Sequence, residues 1–128
     1  MTMYPAEKSV YDGDNDYSIV TTIDYQNIRM LFAGDATEVR LEEILKNQHL
    51  AKTYDFVKMP HHGRYNKLTS SFVDVIRPSY AVITSSNKNI EDAQTVQALD
   101  AVEAEVYTTR NGDIKVITDG KKLSIQQY

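Results

Sequence analysis

Three short apolar runs, each followed by a segment of helical spacing, constrain this chain more than any other feature in it. Ile28 to Ala33 is nearly unbroken apolar sequence, and residues 36 to 48 then carry Leu41, Ile44 and Leu45 among good helix formers. Tyr54 to Met59 is followed by a loop from Pro60 to Leu68, and then by Phe72, Val73 and Ile76 on a segment that Thr69 can cap and that stops before Pro78. Tyr80 to Thr84 precedes a polar loop over 85–91 and a helix with Val96 and Leu99 running to about Val102. A fourth strand is predicted from Glu105 to Thr109. Apolar runs of this length with helices between them predict strands covered by helices, that is, an α/β layered fold.

The ends of the chain modify this pattern. Ile19, Thr21, Ile23 and Tyr25 alternate with Val20, Thr22 and Asp24, which predicts a strand joined to the next by a two-residue turn at Gln26-Asn27. Asn111-Gly112 and Asp119-Gly120 are hairpin signals around strands at 114–118 and 123–127, so an antiparallel meander closes the chain. Residues 1–16 carry Pro5, Gly13 and the acidic trio Asp12, Asp14 and Asp16 without periodicity, and are expected to form an irregular arm ahead of a single domain over 17–128. The trio has the opening spacing of a calcium loop but lacks its glycine and distal glutamate.

Composition excludes several classes. With 128 residues the chain is long enough to bury roughly two thirds of its unfolded surface. No apolar run approaches the roughly 18 residues of a membrane span, and no signal peptide is expected. There is no cysteine, so disulfides and thiolate ligands are ruled out, and a metal here must be held by His, Asp, Glu or water. A net charge of −4 with mixed signs gives no global field for nucleic acid. Lys58, Arg64 and Lys67 bracket the only histidine pair, which reads as a solvated loop with three cations or as a local basic patch.

Two of the apolar runs end on metal-binding chemistry. Phe32-Ala33-Gly34-Asp35 ends on a carboxylate, and Val57-Lys58-Met59-Pro60-His61-His62-Gly63 ends on two imidazoles. Carboxylate and imidazole are standard zinc ligands, and strand ends place both on one rim of a sheet, where sites are usually built. The plain alternatives are an Asp35 that caps a helix starting at Ala36 and a turn with two surface histidines. The remaining histidine, His49, follows Gln48 at a helix end and reads as a surface residue favoured by the helix dipole.

The order "LFAGDA", helix, "DFVKMPHHG", helix, "IRPSYAVITSSNKN", then "VYTTRNGDIKVITDGKKLSI" resembles the C-terminal half of a metallo-β-lactamase-fold hydrolase. It is similar above all to the hydrolase domain of bacterial competence DNA-uptake proteins, over about residues 17–128. The resemblance implies one αβ half of a four-layer αββα sandwich: a mixed sheet with helices on one face, the other face packing on a missing N-terminal half. Ile19, Ile23, Met30 and Phe32 are candidates for that second face, which implies the absent half or a homo-oligomer as partner.

In the family two zinc ions lie between the sheets, most of their ligands coming from an N-terminal H-x-H-x-D-H motif that this chain lacks. The resemblance implies that Asp35 bridges the two metals and that one of His61 and His62 is the terminal histidine ligand, His62, directly before the glycine, being the better match. His61 would then lie beside the site or against the substrate. The chain departs from the family pattern at Arg64, where many relatives have serine, and at Asp92-Ala93, where many have His-Pro. Arg64 with Lys67 suits a phosphate-containing substrate. The expected activity is part of a zinc-dependent hydrolysis of a phosphodiester or other ester, with metal weak or absent and little activity in this chain alone. The alternative is a non-catalytic binding or assembly module that keeps the fold.

Overall fold

The apolar runs become the parallel strands of a mixed six-stranded sheet. The computed structural model describes residues 1–47, 50–51 and 53–128; the helix-end histidine His49 lies outside the described residues. Along the chain, β1 is Thr2–Tyr4, β2 Val20–Tyr25, β3 Ile28–Phe32, α1 Glu38–Lys46, β4 Phe56–Lys58, α2 Thr69–Ile76, β5 Tyr80–Ile83, α3 Ala93–Ala101, β6 Glu105–Thr108, β7 Ile114–Thr118 and β8 Leu123–Gln127. The first six strands pair in chain order, antiparallel from β1 to β3 and parallel from β3 to β6. Three successive crossovers moving the same way along a sheet, each right-handed by the chirality of strand and helix, put every helix on the same face.

That face holds the core. Leu31, Val57, Ala81 and Ile83 from the strands pack with Leu41 and Ile44 of α1, Phe72, Val73 and Ile76 of α2, and Leu99 of α3. The strand side chains alternate as the pleat requires: Val57 faces the helices and Phe56 the other side. Arg40 is wholly buried behind α1, its charge met by Glu43 at 2.9 Å and its remaining donors by the carbonyls of Tyr4, Pro5 and Ser18. A buried guanidinium needs such partners, and here they fasten the N-terminal segment to the sheet.

The antiparallel close is a two-stranded sheet of its own, β7 with β8. Gln127 Nε2 donates to the Thr108 carbonyl at the end of β6, at 2.7 Å, and the Asn27 amide in the β2–β3 turn donates to the Gly120 carbonyl at 2.8 Å. The hairpin thus reaches from the far end of one edge strand to the near end of β3, across the helix-free face. Phe56 and Val82, which point to that face, are buried. The face is less covered toward β1 and β2: Met3 is 57% exposed and Ile23, Met30 and Phe32 are half-buried.

Four local expectations are corrected. The arm is not irregular throughout, because Thr2–Tyr4 adds an edge strand along β2. Asn111-Gly112 closes no hairpin; residues 109–111 form a single 3₁₀ turn carrying the chain from the large sheet to the small one. Thr69 is the first residue of α2 and not its cap, because its hydroxyl accepts from the Asn66 amide at 2.9 Å in the turn before the helix. α1 starts at Glu38 after Thr37, so Asp35 lies two residues ahead of the cap position and does not cap it.

Candidate functional site at the strand ends

Because β3 and β4 are parallel neighbours, the segments that follow them leave the sheet side by side. Gly34 takes φ +59, which lets the chain turn at once after β3 and brings it against Ser18. The Asp35 amide donates to Ser18 Oγ at 3.2 Å, and the His61 amide donates to the Gly34 carbonyl at 3.2 Å. The two sequence motifs are therefore stitched to each other through the backbone.

The histidine segment carries backbone strain. His61 (φ 46, ψ 47) and His62 (φ 54, ψ 28) both adopt the left-handed conformation, followed by Gly63 at φ +76. Non-glycine residues at positive φ are uncommon and cost roughly 1–3 kcal/mol each. Gly63 is required for space as well: a Cβ there would stand 2.7 Å from Ile83 Cγ2 and 2.9 Å from Glu91 Cβ. The tight packing under Gly63 holds the two histidines out over the rim.

Their side chains then diverge. His62 Nδ1 lies 2.8 Å from the Thr84 carbonyl oxygen and 3.0 Å from Thr84 Oγ1. A carbonyl only accepts, so Nδ1 carries a proton. Nε2 is turned toward Asp35 Oδ1, 3.4 Å away, an ion pair when the ring is protonated and two facing lone pairs when it is neutral. The distance lies beyond the usual roughly 2.7–3.2 Å of a hydrogen bond. Two donors on one tetrahedral zinc, each about 2.0–2.2 Å from it, stand about 3.4 Å apart. The Nδ1–carbonyl bond is the support that metal-bound histidines ordinarily have.

His61 turns the other way, its Nε2 3.3 Å from Asn15 Nδ2 of the N-terminal segment, with its ring centre 6.5 Å from that of His62. Lys58 completes the rim. Its ammonium donates to the Gly34 carbonyl at 2.9 Å and lies 3.9 Å from Asp35 Oδ1. Burial pushes this ammonium below its ordinary pKa, and the Asp35 carboxylate opposes the shift.

The three cations around the histidine pair do not act together; each meets a carboxylate of its own. Lys58 lies by Asp35, Arg64 NH1 meets Asp92 Oδ1 at 3.1 Å, and Lys67 Nζ meets Glu38 Oε1 at 2.8 Å. Arg64, with both histidines, lines an open cleft of about 470 Å³ between the histidine turn and the loop after β5; Lys67 does not line it.

Asp35 and His62 lie 3.4 Å apart, and His61, His62 and Arg64 line one cleft that Asp35 does not. Sequence reasoning missed Asn15, Ser18 and Thr84, which hold His61, Asp35 and His62. Their signal is purely tertiary, since they lie 17 to 46 positions from the residues they support. Among the described residues no group of three or more His, Asp or Glu side chains converges as a metal site, and no helix is long and apolar enough to cross a membrane. Compared with known proteins, the chain matches no family model and no curated protein.

Proposed function

We propose that this chain carries the strand-end half of a metal-dependent hydrolase centre of the metallo-β-lactamase type, acting on a phosphodiester or other ester. The observation that carries this reading is the Asp35 Oδ1–His62 Nε2 pair, two groups able to bind zinc 3.4 Å apart at adjacent strand ends, with His62 Nδ1 held on the Thr84 carbonyl. Asp35 and His62 would hold zinc, which when bound lowers the pKa of a coordinated water toward neutrality and polarises the scissile group. The chain's own residues have the supporting roles. Thr84 fixes the His62 ring, Ser18 fixes the Asp35 backbone, and Lys58 lays a positive charge beside the carboxylate. His61 and Arg64 face the cleft where substrate would lie, and Lys67, paired with Glu38, has no part in it.

Two donors do not close a coordination sphere, since a catalytic zinc ordinarily takes three protein ligands and a water. By the resemblance, the remaining ligands would come from an H-x-H-x-D-H segment outside this chain. The chain alone is expected to bind zinc weakly and to hydrolyse nothing at an enzymatic rate. A protein completed with that segment should hold about two zinc ions, and Asp35→Asn in it should lower occupancy and rate together. Full activity of the Asp35→Asn variant, or zinc-loaded phosphodiesterase activity of the 128 residues alone, would overturn the proposal.

A second reading, a non-catalytic binding module, is favoured by the lack of a third converging ligand among the described residues. Metal analysis of the completed protein separates the two, because a binding module stays metal-free.

A further inference from the structure

The cleft beside the histidine pair has a chemistry of its own. Its walls come from His61, His62 and Arg64 on one side and from Thr84, Ser86 and Asn89 of the β5–α3 loop on the other. Every lining side chain is polar, none is a carboxylate, and the only rings are the two imidazoles. At about 470 Å³ it falls in the range of roughly 300–1,000 Å³ typical of small-molecule sites, far more room than a lone oxyanion needs.

The donors are held in place in advance. Both hydrogen bonds that fix Arg64 use NH1, to Asp92 Oδ1 and to the Ile90 carbonyl, each at 3.1 Å. Among the described residues none bonds Nε or NH2, which are left for a ligand. Asp92 is itself occupied, its second oxygen accepting from the Tyr65 amide at 2.8 Å, so it orients the guanidinium. Ser86 and Asn89 are locked by reciprocal backbone bonds of 3.1 Å, which set the exposed Asn89 amide at the cleft wall. A guanidinium fork recognises phosphate in two-point fashion. Hydroxyls and an amide, which both donate and accept, recognise sugar hydroxyls. A nucleobase, in contrast, is usually gripped by stacking on aromatic faces, and this cleft is lined by no Phe, Tyr or Trp, its rings being the two small imidazoles.

We infer that this cleft is a sugar-phosphate subsite: it takes a phosphorylated, polyhydroxylated unit, phosphate on Arg64 and hydroxyls on Ser86 and Asn89, and does not read a base. Its meaning as the substrate end of the reaction rests on the hydrolase reading of Asp35 and His62, but the binding itself does not.

The test therefore uses metal-free 128-residue chain and reads affinity from backbone amide NMR titrations with three probes: inorganic phosphate, ribose 5-phosphate and uridine 5′-monophosphate. Ribose 5-phosphate should bind about tenfold tighter than phosphate, the equivalent of one or two added polar contacts, and shift the amides of Arg64, Ser86 and Asn89. Uridine monophosphate should bind no tighter than ribose 5-phosphate. Arg64→Ala should weaken both phosphorylated sugars at least about tenfold, with Arg64→Lys recovering only part, because it keeps the charge and loses the fork. Asn89→Ala should bring ribose 5-phosphate down to the affinity of phosphate. Equal affinity for phosphate and ribose 5-phosphate, a clear gain from the base, or binding indifferent to Arg64→Ala would each overturn the inference. These results are independent of zinc content, so failure of the subsite and failure of the metal centre are told apart.

Discussion

At the scale of single residues, the rim depends on a glycine the chain cannot easily replace. Gly63 combines a positive φ with a position where an added Cβ would stand under 3.0 Å from Ile83 and Glu91, so Gly63→Ala adds both backbone strain and overpacking. Overpacking alone costs typically about 1–3 kcal/mol, and the left-handed conformation adds about 1 kcal/mol for a side chain. Urea denaturation of Gly63→Ala should show a loss of about 2–4 kcal/mol; a loss under about 0.5 kcal/mol would mean that the histidine turn is not held by this packing. The two histidines should behave differently from each other. His62 faces Asp35 with its free nitrogen, whereas the His61 nitrogen is engaged by Asn15. In the protein completed with the absent ligands, His62→Ala should weaken zinc by more than about a hundredfold. His61→Ala should have an effect nearer the roughly 10–100-fold range of residues that support ligands. The reverse order in a chelator competition would exchange their roles.

At the scale of elements, the loop after β5 is held by ion pairs at its C-terminal end: Arg64 with Asp92 and Arg110 Nε with Glu91 at 3.2 Å. The Asp92 carboxyl is held below its ordinary value, first by the Tyr65 amide and then by Arg64. A carboxyl whose folded pKa is depressed contributes its stability above the unfolded value, near 3.9, and loses it as pH falls through the lower folded value. The latch should therefore stay closed at neutral pH and release only below about pH 4. Because Asp92 is more than a third exposed, the contribution to overall stability is small. Amide exchange at Tyr65 is the direct readout, and acceleration already at pH 6 would contradict the assignment.

These elements also mark what the sequence made legible. Strands β2 to β6 and the three helices lie where apolar runs and helical spacing put them, the three-residue β4 included, because it sits inside the longer run 54–59. Thr2–Tyr4 was not legible: three residues show no period, and the strand exists only because β2 offers an unpaired edge. Asn111-Gly112 misled for the opposite reason, a local turn preference serving a passage between two sheets. The strand-end motifs announced Asp35, His61 and His62 because chemistry and chain reversal coincide there. The pairing of Arg64 with Asp92 and of Lys67 with Glu38 spans more than 25 positions and leaves no pattern in the sequence.

At the scale of the whole molecule, the question is what the helix-free face does. Phe56 and Val82 on that face are buried, and the β7–β8 hairpin is hydrogen-bonded to the large sheet at Asn27 and at Thr108. The remainder, toward β1 and β2, presents Met3, Ile23, Met30 and Phe32 around a three-residue edge strand, with Ile19 beside it at 51% exposure and Tyr25 at 46%. Contiguous apolar surface of this kind is uncommon on a monomer, and burying it returns roughly 25 cal/mol for each Å² removed from water. Two copies of this chain meeting face to face, each offering the same patch, would cover it in the way the absent half is proposed to. The isolated chain should therefore self-associate in sedimentation velocity over tens to hundreds of micromolar. Ile23→Glu should abolish the association without lowering the thermal midpoint by more than a few degrees, since Ile23 lies outside the helix-side core. A chain that sediments as a strict monomer throughout that range would show that the hairpin already satisfies the face, and the half-sandwich proposal would lose its architectural support even if Asp35 and His62 still bound metal.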